Sequence, residues 1–100
     1  MKESDIKKSI MMEISRQGHK IFNNPVGFDQ ERKIKYGLFK GSSDLIGWTN
    51  TGRFLAVEVK TPTGRLSKEQ NKFLDEVNKS GGVGICARSV ENVKEQLCRK

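Results

Sequence analysis

The sequence predicts an α/β protein whose helices and strands follow the order α-β-β-β-α-β-α. Three observations support this fold class. Apolar residues recur at helical spacing near the start of the chain and twice in its second half. Two short apolar runs flank a glycine-bearing turn in the middle of the chain, as in a β-hairpin. A further apolar run between two helical segments is typical of a strand that is buried on both faces.

The N-terminal segment, residues 3–17, is predicted to form the first helix, and Gly18 is a typical residue to end it. Glu3 lies at the start of this helix, where the helix dipole favours a carboxylate. Glu13 is expected to face solvent. The apolar residues of the helix fall on one stripe at helical spacing, namely Ile6, Ile10, Met11 and Ile14.

A short strand is predicted over residues 19–23, followed by the least regular stretch of the chain, residues 24–40. We expect a long loop there, because prolines and glycines interrupt it. His19 has no second histidine or cysteine at ligand spacing, so a zinc site is not expected. Basic and aromatic residues alternate in the loop, a composition that suits phosphate pairing and base stacking. These residues are Arg32, Lys33, Lys35 and Lys40, with Phe28, Tyr36 and Phe39 between them. For the aromatic residues, covering the core is an equal alternative.

The central hairpin, residues 41–60, is predicted to place three charged residues at one end of a sheet. Side chains two apart on a strand share a face, so Glu58 and Lys60 lie together. A turn near residues 50–51 brings Asp44 opposite Glu58. Facing carboxylates raise each other's pKa unless a cation lies between them, and hard divalent ions take oxygen ligands. A lysine beside such an ion can orient water or stabilise charge on a phosphate.

Taken alone, a Glu-x-Lys strand end is usually just a solvated face. The combination of the spacing, the hairpin and the absence of other clustered acids favours hydrolysis of a phosphodiester.

In the second half of the chain, the sequence marks clearly where the predicted helices and the strand begin and end. Ser67 and Gln70 fit a capping box, with Ser67 as N-cap and Gln70 at position N3 of a helix that extends to about Lys79. Residues 83–87 form the buried strand. Ser89 is then predicted to cap a last helix.

Length, charge and cysteine content narrow the class of protein. One hundred residues predict one domain, residues 1–100, and a net charge of +7 is typical of proteins that bind polyanions. Cys86 and Cys98 are too few for a disulfide framework, and Cys86 is expected to be a buried thiol in a reducing, cytoplasmic compartment. No apolar run is long enough for a membrane span, and no signal-like segment is visible.

Three motifs occur in order along the chain: Gly41-Ser42-Ser43-Asp44, then Glu58-Val59-Lys60, then Leu66-Ser67-Lys68-Glu69-Gln70. Together they resemble the VRR-NUC branch of the PD-(D/E)XK nucleases. Ser43 stands where the superfamily name has proline, at a position that is not a ligand. The resemblance covers nearly the whole chain and implies a restriction-endonuclease-like core, a mixed sheet flanked by helices. In length and order the chain is similar to stand-alone phage members, which places it in the cytoplasm of a bacterial or phage-infected cell.

The resemblance implies a role for each residue of the hairpin site. Asp44 and Glu58 would bind Mg²⁺ or Mn²⁺, and the main-chain carbonyl of Val59 would be a further ligand. Lys60 would position or activate the attacking water. Gln70 would face the active site, a role compatible with capping. Glu3, as an alternative to its role at the helix dipole, would supply a third acid.

The resemblance also implies the activity and the partners. It points to a metal-dependent DNA endonuclease, and stand-alone relatives act as two-fold dimers on branched DNA such as four-way (Holliday) junctions. Branched DNA and a second copy of the chain are therefore the expected partners. One alternative is a non-catalytic nucleic-acid-binding domain that uses the basic loop as a clamp, but it leaves the acidic pair unexplained. A nicking or sequence-specific endonuclease of the same superfamily is the other alternative.

Overall fold

The computed structural model describes residues 2–98 and confirms a mixed sheet with helices on both faces. The helices are α1 (Glu3–Arg16), α2 (Lys68–Lys79) and α3 (Val90–Cys98). The strands are β1 (Lys20–Asn23), β2 (Gly27–Asp29), β3 (Ile34–Tyr36), β4 (Leu45–Trp48), β5 (Phe54–Val59) and β6 (Val83–Ala87). None of the helices described is both long enough and apolar enough to cross a bilayer.

Four strands form the main sheet in the order β1-β4-β5-β6. The first two pairs are antiparallel, whereas β5 and β6 are parallel and are joined through α2. In the central hairpin Leu45 pairs with Val57. This register places Asp44, one residue before β4, opposite Glu58, as the sequence predicts.

The stretch that was expected to be one long loop, residues 24–40, contains a hairpin of its own. Strands β2 and β3 pair antiparallel as a separate two-stranded sheet, which we call the arm (residues 27–36). The side chain of Asp29 closes its turn by accepting hydrogen bonds from the N–H groups of Glu31 and Arg32, at 3.0 and 3.1 Å. The loop prediction was wrong because three-residue strands are too short to show an alternating pattern. The predicted element order still holds for the main sheet and its helices.

The two faces of the main sheet are covered by different helices. Helices α1 and α3 pack on the face that carries Leu55, Val57 and Val59. Helix α2 packs on the opposite face, where its apolar residues contact Ala56. Glu58 and Lys60 therefore lie on the α2 side, because side chains alternate along β5.

Gly47 allows β1 and β4 to approach closely. A Cβ at this position would clash with the carbonyl oxygen of Lys20, so a larger residue would push the two strands apart. The close pairing brings Asn24, directly after β1, beside Asp44, and the Asn24 N–H donates a 2.7 Å hydrogen bond to the Asp44 carbonyl oxygen. The β1–β4 pairing thus helps to hold the segment that carries the first acid.

Candidate active site

The two carboxylates of the predicted metal site lie together at one end of the main sheet. Asp44 accepts a hydrogen bond at its Oδ2 from the main-chain N–H of Val59, at 3.2 Å. Glu58 is only 2% exposed. Lys60 follows β5 on the same side and is partly exposed, and its N–H donates to the carbonyl oxygen of Ala87 at 3.0 Å. The structure therefore brings Asp44, Glu58 and Lys60 into one cluster.

Burial and a neighbouring acid change the chemistry of Glu58. Burial raises the pKa of Glu58 to about 8, together with the neighbouring Asp44 carboxyl, which can accept a hydrogen bond from the protonated form and whose charge opposes ionisation, while the positive charge of Lys60 acts in the opposite direction. The Oε2 atom of Glu58 is buried and accepts no hydrogen bond. A buried ionised oxygen without a partner is costly, so this carboxyl needs either a proton or a cation at neutral pH.

Gln70 both caps helix α2 and faces the acidic pair, where it donates a hydrogen bond to Glu58. The Ser67 Oγ accepts from the Gln70 N–H at 3.1 Å, and the Gln70 Oε1 accepts from the Ser67 N–H at 2.9 Å, which confirms the capping box. Its Nε2 donates to the Glu58 Oε1 at 3.2 Å. Because the cap fixes the amide oxygen toward Ser67, the NH₂ group is directed at Glu58. One oxygen of Glu58 is thereby held, and the other is left without a partner.

Asn24 belongs to the site, although no sequence motif singled it out. It is 7% exposed, and its Nδ2 donates to the Ser42 Oγ and to the Ser43 carbonyl oxygen, both at 2.9 Å. Its Oδ1 accepts from the Leu38 N–H at 3.1 Å. Asn24 therefore ties the end of the arm to the loop that carries Asp44. The sequence signal for it was weak, a polar residue between an apolar strand and a proline.

We expect Asn24→Ala to lower the free energy of unfolding by about 2–4 kcal/mol, because it leaves the buried carbonyl oxygen of Ser43 and the partly buried N–H of Leu38 without partners, at about 1–3 kcal/mol for each group that stays shielded from water. Urea denaturation measures this loss. The matched control is Asn23→Ala, which removes the neighbouring exposed asparagine and should change stability by less than about 0.5 kcal/mol. Equal losses in the two variants would contradict a special role for Asn24.

A third acid does not join the pair. Glu3 is exposed in the first turn of α1, and within residues 2–98 no group of three acidic, histidine or cysteine side chains is arranged to hold a metal ion. Glu13, which was expected to face solvent, is 7% exposed. That prediction was wrong because Arg16 and Gln17 fold over its carboxylate, with hydrogen bonds of 2.6–3.0 Å that lower the pKa of Glu13 to about 2.

Three of the predicted DNA-binding residues lie on the arm, whereas Lys40 follows the arm and lines a cavity together with Asp44. All four are exposed, and a 3.9 Å ion pair joins Arg32 to Asp29. The aromatic residues of this region do not fill the core: Phe28 and Tyr36 are largely exposed, and Phe39 packs edge-on against Phe73 with ring centroids 5.4 Å apart. The contact of the four basic residues with DNA stays a prediction: Arg32, Lys33, Lys35 and Lys40.

The histidine and the cysteines are the last residues that the sequence analysis considered. The Nδ1 of His19 accepts a 3.0 Å hydrogen bond from the Asn50 N–H, so the histidine braces the turn between β4 and β5. Cys86 is a free thiol and is partly buried, and burial raises its pKa. The side chain of Cys98 lies outside the part of the chain that the structure describes.

Comparisons with known proteins agree with this fold. A solved structure described as a VRR_NUC domain has a TM-score of 0.67 at 18% identity and covers 95% of this chain and 92% of its own. A second, described as a VRR_NUC domain protein, has a TM-score of 0.68 at 19% identity and covers 99% of this chain and 87% of its own. At such identities the likeness shows the fold. No curated protein matches the chain.

The family assignment comes from the sequence. The family model of the VRR-NUC domain matches residues 13–91. This range includes Asp44, Glu58, Lys60 and Gln70, and it leaves Glu3 outside. Because the match spans well over half of the chain and the fold agrees with it, the chain belongs to the VRR-NUC family of nuclease domains.

Proposed function

We propose that the chain is a metal-dependent DNA endonuclease that uses Mg²⁺ or Mn²⁺ and cuts branched DNA as a homodimer. The observation that carries the metal dependence is the buried Glu58 Oε2, which lies beside the Asp44 carboxylate without a hydrogen-bond donor. A divalent cation would satisfy this atom and offset the repulsion between the two carboxylates. The neighbouring Lys60 adds a positive charge on the same side of the sheet.

The donor set fits a hard divalent ion. Asp44 and Glu58 would supply carboxylate oxygens, and the main-chain carbonyl of Val59 is proposed as a further ligand. Mg²⁺ typically uses one or two carboxylates and leaves its other positions to water and substrate phosphates. When bound, such an ion would acidify a water molecule and neutralise charge on the scissile phosphate.

The residues of the chain itself hold and orient the reacting groups. The N–H of Val59 fixes one oxygen of Asp44, and the amide of Gln70 fixes one oxygen of Glu58. Lys60 would orient the attacking water and stabilise the negative charge that grows on the phosphate. Because these hydrogen bonds hold both carboxylates in place before the substrate binds, little free energy is spent on rearranging them during the reaction.

Electrostatics support DNA as the substrate. The chain carries a net charge of +7, and the exposed basic residues of the arm suit contacts with phosphates. A two-stranded ribbon is also narrow enough to enter the major groove. The preference for branched DNA and the dimer follow from the family resemblance, since a two-fold dimer places two sites on opposite strands. A clamp without catalytic activity would leave the acidic pair without a purpose.

Cleavage of labelled four-way junction, flap and linear duplex DNA, with and without Mg²⁺ or Mn²⁺, tests this proposal. We expect paired nicks in the junction, only with metal. Asp44→Asn should raise the metal concentration for half-maximal activity by at least ~10-fold, because it removes a charged ligand. The control Asp29→Asn changes an acid in the turn of the arm, away from the acidic pair, and should leave the metal titration unchanged.

The other outcomes of the same assay are equally informative. Cleavage in EDTA, or an unchanged metal titration of Asp44→Asn, would contradict the metal site. Binding without cleavage in every metal condition would favour the clamp. Nicks at particular sequences in linear duplex would favour the nicking or sequence-specific alternative.

A further inference from the structure

One half of the α2 side of the main sheet has no helix over it. Helix α2 packs against β5 and β6, and the surface of β1 and β4 on that side is open. Strand alternation places a cluster of apolar side chains there, which we call the aromatic face. It consists of Phe22, Ile46, Trp48 and Phe54, with Lys20 at its rim.

The three aromatic side chains of the aromatic face remain about half exposed. Phe22 is 51% exposed, Trp48 50% and Phe54 42%. The rings of Phe22 and Trp48 have centroids 5.6 Å apart, and Trp48 pairs directly with Phe54 across the hairpin. A groove of about 650 Å³, lined by Phe54 and Phe39 among others, continues the apolar surface toward α2. Apolar patches of this kind on small proteins usually mark interaction sites.

We propose that the aromatic face is the interface between two copies of this chain. An aromatic side chain buries about 150–250 Å² when it is covered completely, so the exposed halves of Phe22, Trp48 and Phe54 offer roughly 300 Å², to which the partly exposed Ile46 adds. A standard interface buries about 800 Å² per partner, of which a little over half is apolar. The aromatic face thus matches the apolar centre of such an interface, and the surrounding polar residues would form its rim.

The charges on the aromatic face favour a second copy over a nucleic acid. Sites that stack nucleotides combine aromatic side chains with a positively charged groove. Among the described residues at this surface the cations are Lys20, at the rim, and Arg53, whose guanidinium donates to the carbonyl oxygens of Gly81 and Gly82 at 2.8 and 3.1 Å. The arm has the basic composition that a nucleotide surface needs, and the aromatic face does not.

A two-fold contact through the aromatic face would lie on the same side of the sheet as the active site, next to it. The same patch serves both copies in such a contact, so Phe22 and Trp48 can pack against their counterparts. Asp44 lies four residues from Trp48 along the chain, which is roughly 13 Å at about 3.3 Å per residue, and the partly buried Ile46 lies between them. This inference names the surface of the dimer in the proposed function, but its evidence is the surface itself, and its first test, the oligomeric state, needs neither DNA nor metal.

Sedimentation velocity between 1 and 100 µM (roughly the range of a moderate interface) tests the oligomeric state. We expect the wild type to form dimers, and its single tryptophan, Trp48, to emit at shorter wavelength as the dimer forms. Phe22→Glu should raise the dissociation constant of the dimer at least ~10-fold, because it would bury an unpaired charge in the apolar centre of the interface. Trp48→Ser, on a different strand, should do the same. The matched control is Met12→Glu on α1, a 67% exposed apolar residue that should leave the dimer intact.

The other outcomes either overturn the inference or separate it from the proposed function. A wild type that stays monomeric at the highest concentration excludes the interface, and a dimer that survives in both folded variants excludes this surface. A monomer whose Trp48 emission is quenched by oligodeoxythymidylate would assign the aromatic face to nucleotides. A wild-type dimer without nuclease activity would support the interface and refute the proposed function, so the two failures are distinguishable.

Discussion

Lys60→Ala is expected to reduce the rate of DNA cleavage by about 10²–10³-fold, the usual effect of removing one group that stabilises transition-state charge. Folding should be unaffected, because Lys60 is partly exposed and its hydrogen bond to Ala87 is made by the main chain. DNA affinity should stay close to that of the wild type, since one cation among many contributes little to overall binding. Single-turnover cleavage and fluorescence anisotropy measure the two effects separately.

Lys35→Ala is the matched control, because it removes the same side chain from the exposed arm. It should weaken DNA binding and make that binding less dependent on salt concentration. The single-turnover rate of DNA cleavage at saturating enzyme should stay nearly unchanged. If Lys60→Ala lost binding in parallel with cleavage, the lysine would be a DNA contact and its proposed catalytic role would be wrong. The opposite responses of the two lysines would separate the chemical site from the binding surface.

The central hairpin was predictable from the sequence because its rules are local. Strand alternation assigns Glu58 to one face, and a short loop fixes the register that brings Asp44 opposite it. The capping box around Gln70 is equally local. The site therefore follows largely from spacing along the chain, and the mixed sheet follows from the order of the elements.

The features that the sequence did not predict depend mostly on contacts between distant segments, which spacing along the chain does not reveal. Asn24 bonds to residues 14–19 positions away, and nothing next to it in the chain indicates those partners. Glu13 is covered because two flexible side chains fold over it, a choice that helical periodicity cannot predict. The arm is hidden for another reason, since its strands have three residues each and its side chains are largely exposed.

The same strands carry the candidate active site and the aromatic face at opposite ends of one surface. Helix α2 separates them on β5, where it covers Ala56 between Phe54 and Glu58. An apolar end with few charges suits a protein partner, and a charged end with an unsatisfied carboxylate oxygen, the Glu58 Oε2, suits a cation and a phosphate. The one-sided placement of α2 thus creates two surfaces of different chemistry.

In the metal-free protein, the free energy of unfolding is expected to fall as the pH rises from about 5 to about 8. The pKa of Glu58 is raised to about 8 in the fold, against about 4.3 for an ordinary glutamate. Between these values the folded state keeps a proton that the unfolded state has lost, so a rise in pH favours unfolding. Because the cluster is partly open to solvent at Lys60, we expect a loss of about 1–3 kcal/mol, well below the value for the full shift.

Glu58→Gln should abolish this pH dependence, because glutamine does not titrate and can still accept the hydrogen bond from Gln70. Urea denaturation in EDTA at several pH values measures it. The control Glu13→Gln makes the same substitution at another glutamate of low exposure, whose pKa of about 2 lies outside the window, and it should keep the wild-type slope. An unchanged slope in Glu58→Gln would contradict the raised pKa. Addition of Mg²⁺ or Mn²⁺ at pH 8 should stabilise the wild type but not Glu58→Gln, because the group that loses its proton there is the proposed ligand.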